Sequence, residues 1–331
     1  MKKTMIVLVM LLSMGILLAA GCVGEQNISG TTSDAEGMVV AVSILPQAEL
    51  VEKVAGDNVK VVVMVPPGSS PHSYEPTPSQ LKDMSNAKIY AMVGSGITIE
   101  DTLMSKIADL NPDMMVIDCS KGITLLEMDA HAHGDEEDEH AHEAEDEGHV
   151  HEAEDEEHAH EAEEHDPEEG GMDPHIWTSP DNVAVMVENI YTGLVAIDPD
   201  NGATYLENKN AYLAELEVLD AEIKATLSGK EGSSFMVYHP AWGYFANHYG
   251  LVQVPVEIEG KEPSVMGMKA IIDEAKEKGI KIIFVQSGFS TVSASAIAKE
   301  IGGEVVEVDP LAKDYIDNLA KVAEAFEKGL A

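Results

Sequence analysis

The chain has 331 residues, 44% of them hydrophobic, and a formal net charge of −40 at pH 7. That length allows one to two domains, and that apolar fraction is enough to build globular cores. The charge argues against nucleic acid and anionic lipid headgroups as docking partners, because both would repel it.

The N-terminus reads as an export signal. Met1 to Lys3 carry positive charge, residues 4–20 are almost wholly apolar, and Ala19-Ala20-Gly21-Cys22 closes the run with small residues and a thiol. Residues 1–22 are therefore expected to be a signal peptide with a lipobox, Cys22 its lipidation site, and residues 23–37 a tether. An uncleaved anchor with an incidental cysteine is the alternative. Either arrangement holds the protein on the outer face of the cytoplasmic membrane. No other segment approaches the roughly 20 apolar residues a spanning helix needs. The only other cysteine, Cys119, follows the apolar run 114–117 and reads as a small buried hydrophobe, so no disulfide framework is expected.

Next comes an α/β pattern. Short apolar or β-branched runs at 39–45, 59–65, 89–93 and 114–117 are separated by helix-like stretches, which implies a parallel sheet with helices on its faces. A second series follows at 235–238, 252–258, 280–285 and 305–308, with helical stretches at 268–278 and 291–300. Between the two series, 201–227 holds no proline and no internal glycine except Gly202, and Leu206, Leu213, Leu216, Leu219, Ile223 and Leu227 fall at helical spacings. A helix of that span is about 40 Å long and suits a rigid connection. The expected division is an N-terminal lobe at 38–198, a linking helix at 199–228 and a C-terminal lobe at 229–331.

An acidic insertion at 129–170 interrupts the first lobe. From Asp129 to Glu169 there are 21 Asp and Glu and no Lys or Arg, so the rest of the chain carries only −19. The segment repeats every nine residues, with units starting at His131, His140, His149 and His158. Nine helical steps of about 100° carry the motif to the opposite face, so the repeat makes no helical stripe. Without aromatics and with one valine it cannot offset its ordering entropy, and a disordered loop is expected. Nine of the 13 histidines lie here: His131, His133, His140, His142, His149, His151, His158, His160 and His165. Such tracts commonly bind metal, so these are expected as weak auxiliary sites, with a merely solubilising loop as the alternative.

Four loops at expected strand ends carry the chemistry. They are Pro66-Pro67-Gly68-Ser69-Ser70-Pro71-His72-Ser73-Tyr74-Glu75-Pro76, Asp173-Pro174-His175-Ile176-Trp177, His239-Pro240-Ala241-Trp242-Gly243-Tyr244-Phe245 and Asp309-Pro310-Leu311. Open α/β sheets bind ligands outside the carboxyl ends of their strands. Three histidines and an aspartate so placed make a four-ligand metal site at His72, His175, His239 and Asp309. Taken singly, each histidine also reads as a packed polar residue, and Asp309 as an Asx turn before Pro310.

These motifs, in this order from about Val39 to the C-terminus, resemble the zinc and manganese family of solute-binding proteins that feed ATP-binding-cassette importers. The resemblance implies two α/β lobes joined by a long helix, a cleft site whose ligands fall on His72, His175, His239 and Asp309, and permease and ATPase subunits as partners of a monomeric, non-enzymatic protein. Ser70 stands where Asp is frequent, and the lipobox carries Ala19; neither touches a ligand. Manganese-type members place a carboxylate at the third position, where this chain has His239, so Zn2+ is expected ahead of Mn2+. A free-standing surface metal buffer or adhesin is the other alternative. Hydrolase signatures are lacking: His160 and His165 stand one residue too far apart for a zincin motif, and there is no Gly-x-Ser-x-Gly, Cys-x-x-Cys or P-loop. Imidazole ligation further predicts that affinity falls as pH drops through about 6.5.

Overall fold

Two parallel sheets of four strands each form the scaffold, in a computed structural model that describes residues 37–128, 171–257, 261–287 and 291–330. Cys22 with its signal, residues 23–36 of the tether and the acidic repeat with its nine histidines lie outside the described residues. Among the described residues no helix is long and apolar enough to cross a membrane.

The first sheet is built from β1 (Met38–Val42), β2 (Val59–Val63), β3 (Ile89–Met92) and β4 (Met115–Asp118), in the order β2-β1-β3-β4. The second contains β5 (Ser234–Val237), β6 (Val252–Pro255), β7 (Ile282–Gln286) and β8 (Glu304–Val308), in the order β6-β5-β7-β8. Every pairing in both is parallel. The two orders are the same arrangement, and in each sheet the order in which strands are added reverses between the two central strands. The carboxyl ends of those strands flank a crevice there.

The strands begin close to where hydrophobic patterning puts them and several end earlier. β1 stops at Val42 instead of 45 because Ile44 becomes the N-cap of α1 (Leu45–Ala55). Gln47 folds back to that turn and accepts from the N–H groups of Ser43 (3.0 Å) and Ile44 (3.2 Å). α2 (Pro78–Ser85), α3 (Thr98–Leu110) and α4 (Pro180–Ile197) are the further helices that accompany the first sheet.

The long connection is α5 (Gly202–Thr226), 25 residues and about 37 Å at the usual helical rise. Its buried stripe is Tyr205, Tyr212, Leu216, Leu219 and Ile223, a true helical face. Leu206, predicted to belong to that face, is 42% exposed, because one residue is a step of about 100° and Tyr205 takes the inward position. α5 packs against α1 and α4 on one side and α9 (Tyr315–Gly329) on the other. A single core therefore runs from the first sheet through α5 into one face of the second sheet. The opposite face of the second sheet has a smaller core against α7 (Val265–Glu277) and α8 (Val292–Ile301).

The packing on the second sheet is keyed on Phe326 of α9, which is fully buried. Its ring stacks on Phe235 at 4.3 Å and meets Trp242, Phe245 and Phe284 edge-on at 5.5, 5.3 and 4.7 Å. Trp242 belongs to the loop that carries His239, so this cluster also anchors a site segment. Phe326→Ala is expected to lower stability by about 3–5 kcal/mol, the range for emptying a buried aromatic position. Urea unfolding measures it, and a loss within experimental error would show that the cluster is not the keystone of this packing.

Candidate metal centre

His72, His175 and His239 converge. The Nε2 atoms of His72 and His239 each lie 3.3 Å from Nε2 of His175. Ligand atoms of all three fall within 4.8 Å of one another, and the rings stand at steep angles about that point. No covalent or steric need brings three imidazole nitrogens together; a shared cation is what such an arrangement can hold.

Each histidine is delivered by local structure that the prolines make rigid. After β2, the turn carrying His72 closes with N–H donation from Ser73 (3.2 Å) and Tyr74 (3.0 Å) to the Ser70 carbonyl. Gln80 braces it, accepting from the Tyr74 hydroxyl at 2.7 Å and donating to the Met64 carbonyl at 2.6 Å. His175 opens a short 3-10 turn, Ile176–Thr178, that leads into α4. His239 follows β5 by two residues, ahead of α6 (Gly243–Tyr249).

Carboxylates set the ring orientations. Asp173 Oδ1 accepts from both the backbone N–H of His175 (2.9 Å) and its Nδ1 (2.7 Å). Glu257, beyond the end of β6, faces Nδ1 of His239 at 3.2 Å. An ionised carboxylate only accepts, so the proton of each ring sits on Nδ1 and the Nε2 lone pair is left for a metal. Asp173 is itself locked in place. Tyr244 of α6 donates to its carbonyl at 3.0 Å, and a Cβ on Gly243 would stand 2.3 Å from its Oδ2, so only glycine allows α6 to approach that closely.

A second chain of contacts reaches the same segment from the first sheet. Buried Glu100 of α3 accepts from the N–H groups of Val93 (2.5 Å) and Gly94 (2.9 Å) and from the Ser43 hydroxyl, tying the ends of β1 and β3 together. The next residue, Ser95, donates to the Pro174 carbonyl at 2.5 Å. On the far side, Trp177 Nε1 donates to the Pro310 carbonyl at 2.7 Å.

Asp309 is not among the atoms that converge. Its Oδ1 accepts from the Leu311 N–H at 2.8 Å, forming an Asx turn. Burial, with Glu307 nearby, raises its carboxyl pKa, opposed by that hydrogen bond. It lines a cavity of about 270 Å³ next to the histidines, whereas Pro310 and Leu311 border the histidine space itself. Cys119 is fully buried beside Gln47, and burial drives its thiol pKa well up.

Protonation follows from the crowding. Burial, then the facing His175 and His239, lower the His72 pKa to about 3. Burial likewise lowers that of His175, against the opposing pull of Asp173. For His72 and His175 the fall in affinity expected as pH drops through about 6.5 moves to lower pH, because burial keeps their lone pairs free there.

One other trio, Asp181, Asp220 and His248, brings ligand atoms within 4.8 Å among the described residues. There the charges satisfy each other. His248 Nε2 meets Asp220 at 2.7 Å, its Nδ1 meets Asp181 at 3.4 Å, and Lys224 pairs with Asp220 at 2.6 Å. That cluster clasps α4, α5 and α6 together.

Sequence reasoning did not single out Asp173, Glu257 or Tyr244. Asp173 had a signal, being two residues before a histidine in an Asp-Pro-His turn. Glu257 had none, because its place depends on which strand neighbours β5.

The insertion leaves and rejoins the fold beside this centre. Glu127 and Met172 form an antiparallel bridge, with Met128 N–H donating to Gly171 (2.9 Å) and Asp173 N–H to Leu126 (2.8 Å).

Comparison with known proteins places this geometry in context. The high-affinity zinc uptake system protein ZnuA of Bacillus subtilis is 30% identical over 298 residues, covering 89% of this chain and 85% of that protein. The manganese-binding lipoprotein MntA of Halalkalibacterium halodurans is 27% identical, covering 95% of each. A crystal structure of a ZnuA deletion mutant with zinc bound superposes with a TM-score of 0.74 at 38% identity, covering 89% of this chain and 98% of that one. The family model described as zinc-uptake complex component A, periplasmic, matches residues 40–329, and with three imidazoles gathered at one point the chain belongs to that family.

Proposed function

We propose that this protein captures Zn2+ outside the cytoplasmic membrane and hands it to the permease of an ATP-binding-cassette importer. The observation that carries the reading is the convergence of three Nε2 atoms, two of them on rings oriented by carboxylates at Nδ1. It is a binding protein, and transport needs separate permease and ATPase subunits. In this reading residues 38–198 and 229–331 act as lobes about the helix at 199–228, the protein works as a monomer, and Cys22 carries the lipid anchor.

Asp309 is proposed as the fourth ligand. Support comes from its place one residue before Pro310, whose carbonyl is held by Trp177, and from the cavity beside the histidines into which its carboxylate can turn. Mn2+ is the second reading, favoured by the likeness to a manganese-binding lipoprotein. Three imidazoles suit the softer zinc ion better.

Removing a ligand tests the site. His72→Ala, His175→Ala and His239→Ala are each expected to weaken zinc binding on the order of 100-fold or more, since each removes about a quarter of a strong coordination energy. Asp309→Ala is expected to cost less, because water can replace a carboxylate at the open side. Competition with a chromophoric chelator measures all four, and a histidine variant with unchanged affinity lies outside the site.

The pH dependence has a definite sign. With the folded pKa of His72 lowered to about 3 and that of His175 lowered too, zinc displaces few protons from these rings. These two rings should therefore add no more than about threefold to any change in affinity between pH 7 and 5.5, after correction for the chelator. The metal-free fold, binding fewer protons than the unfolded chain, should lose stability as pH falls from about 6.5 toward 3. Loss of zinc near pH 6.5 steeper than a single proton can cause would show that His72 and His175 titrate like free imidazoles.

The repeat is proposed as an auxiliary reservoir whose partial sites must be assembled on binding, against a folded site that is pre-organised. Deleting residues 130–164 should remove weak metal equivalents, leave one tight site, and slow capture at low ionic strength. Loss of the tight site in a normally folded deletion protein would show that the repeat supplies essential ligands.

A further inference from the structure

With the Asp309 carboxylate turned to Leu311, three imidazoles leave one position of a tetrahedral zinc ion to solvent until that carboxylate swings in, and a residue at the switch point of the second sheet borders it. The sheet order reverses between β5 and β7. His239, just past β5, forms one wall of that crevice, and Gln286, the last residue of β7, forms the other. Gln286 pairs in register with Val308, the residue before Asp309. It borders both the space enclosed by the three histidines and the adjoining cavity that Asp309 lines.

Its side chain is otherwise unexplained. The carboxamide is half-buried and, among the described residues, makes no hydrogen bond. Other amides around the centre are engaged: Gln47 holds the start of α1, Gln80 the His72 turn, and Gln253 accepts from the Trp242 N–H at 2.8 Å. A half-buried carboxamide without a partner forgoes an acceptor and two donors, which favours a polar occupant beside it. In this conformation Asp309 does not take that place, since its Oδ1 accepts from Leu311 and its carboxylate lies outside the converging group.

We propose that Gln286 holds the solvent ligand of the captured ion, its carboxamide oxygen accepting a hydrogen bond from a zinc-bound water between the imidazoles and Asp309. This rests on the reading of the centre as a zinc site. The residue also bears on selectivity. A neutral amide steadies the water without adding charge, whereas a carboxylate at the same place would offer a hard anionic oxygen for direct ligation, which favours manganese.

The test uses the full protein with Gln286→Leu and Gln286→Glu. Zinc and manganese affinities come from chelator competition, the visible spectrum of the Co2+-loaded protein reports coordination, and metal-free thermal melts report folding. Gln286→Leu should weaken zinc binding by about 10- to 100-fold, the usual effect of losing an outer-shell partner, and should alter the Co2+ spectrum. Gln286→Glu should keep zinc and raise manganese affinity relative to it. Wild-type affinity and spectrum in Gln286→Leu would overturn the proposal. If that variant does not fold, Gln286→Asn, which withdraws the amide by one methylene, is read in the same way. Failure of the zinc reading is distinguishable, because His175→Ala would then retain wild-type zinc affinity.

Discussion

Three imidazole nitrogens, two of them 3.3 Å from the third, cannot all carry protons, and that repulsion governs the architecture around them. The rings must be kept neutral with their lone pairs inward, which requires burial and a hydrogen-bond acceptor behind the ring. Asp173 and Glu257 serve as acceptors for two of them, far enough from the convergence point to orient rings without ligating. In the absence of a cation the arrangement is electrostatically unrewarded, so its persistence depends on the scaffold.

The scaffold supplies that persistence by clamping the His175 segment from several directions. Ser95 holds it from the first sheet, Tyr244 from α6, and Trp177 reaches across to Pro310 after β8. Glu100 secures the Ser95 turn in exchange for the cost of burying a carboxylate, which raises its pKa while three hydrogen bonds oppose the shift. Because one core passes through α5 into both sheets, these clamps act against a common frame. Relative movement of the sheets would have to repack the aromatic face of α5, a stiff constraint on how far a cleft can open.

Much of this was legible in the sequence because prolines and short apolar runs mark their structure locally. The loops of His72, His175 and His239 announce themselves by Pro66, Pro67, Pro174 and Pro240, and the eight strands by short apolar or β-branched runs. Where reading failed, the deciding contact was distant. Tyr205 displaced Leu206 from the face of α5 because aromatic residues were left out of a leucine pattern. Glu257 could not be found because strand adjacency, β6 beside β5, is not written in local spacing. Asp309 follows β8 in the expected loop, and its oxygen is engaged in the turn that Asp before Pro predicts.

The antiparallel bridge between Glu127 and Met172 makes the acidic insertion a closed excursion from a fixed stem. Its two ends meet within one ladder, so the distance that must be spanned is independent of how many nine-residue units lie between them. Gain or loss of whole units is therefore geometrically neutral to the fold, a latitude that lets repeat number drift over evolutionary time. The same stem offers protein engineers a grafting point, where a foreign loop or reporter domain can be carried within a few residues of His175 without rebuilding the sheets.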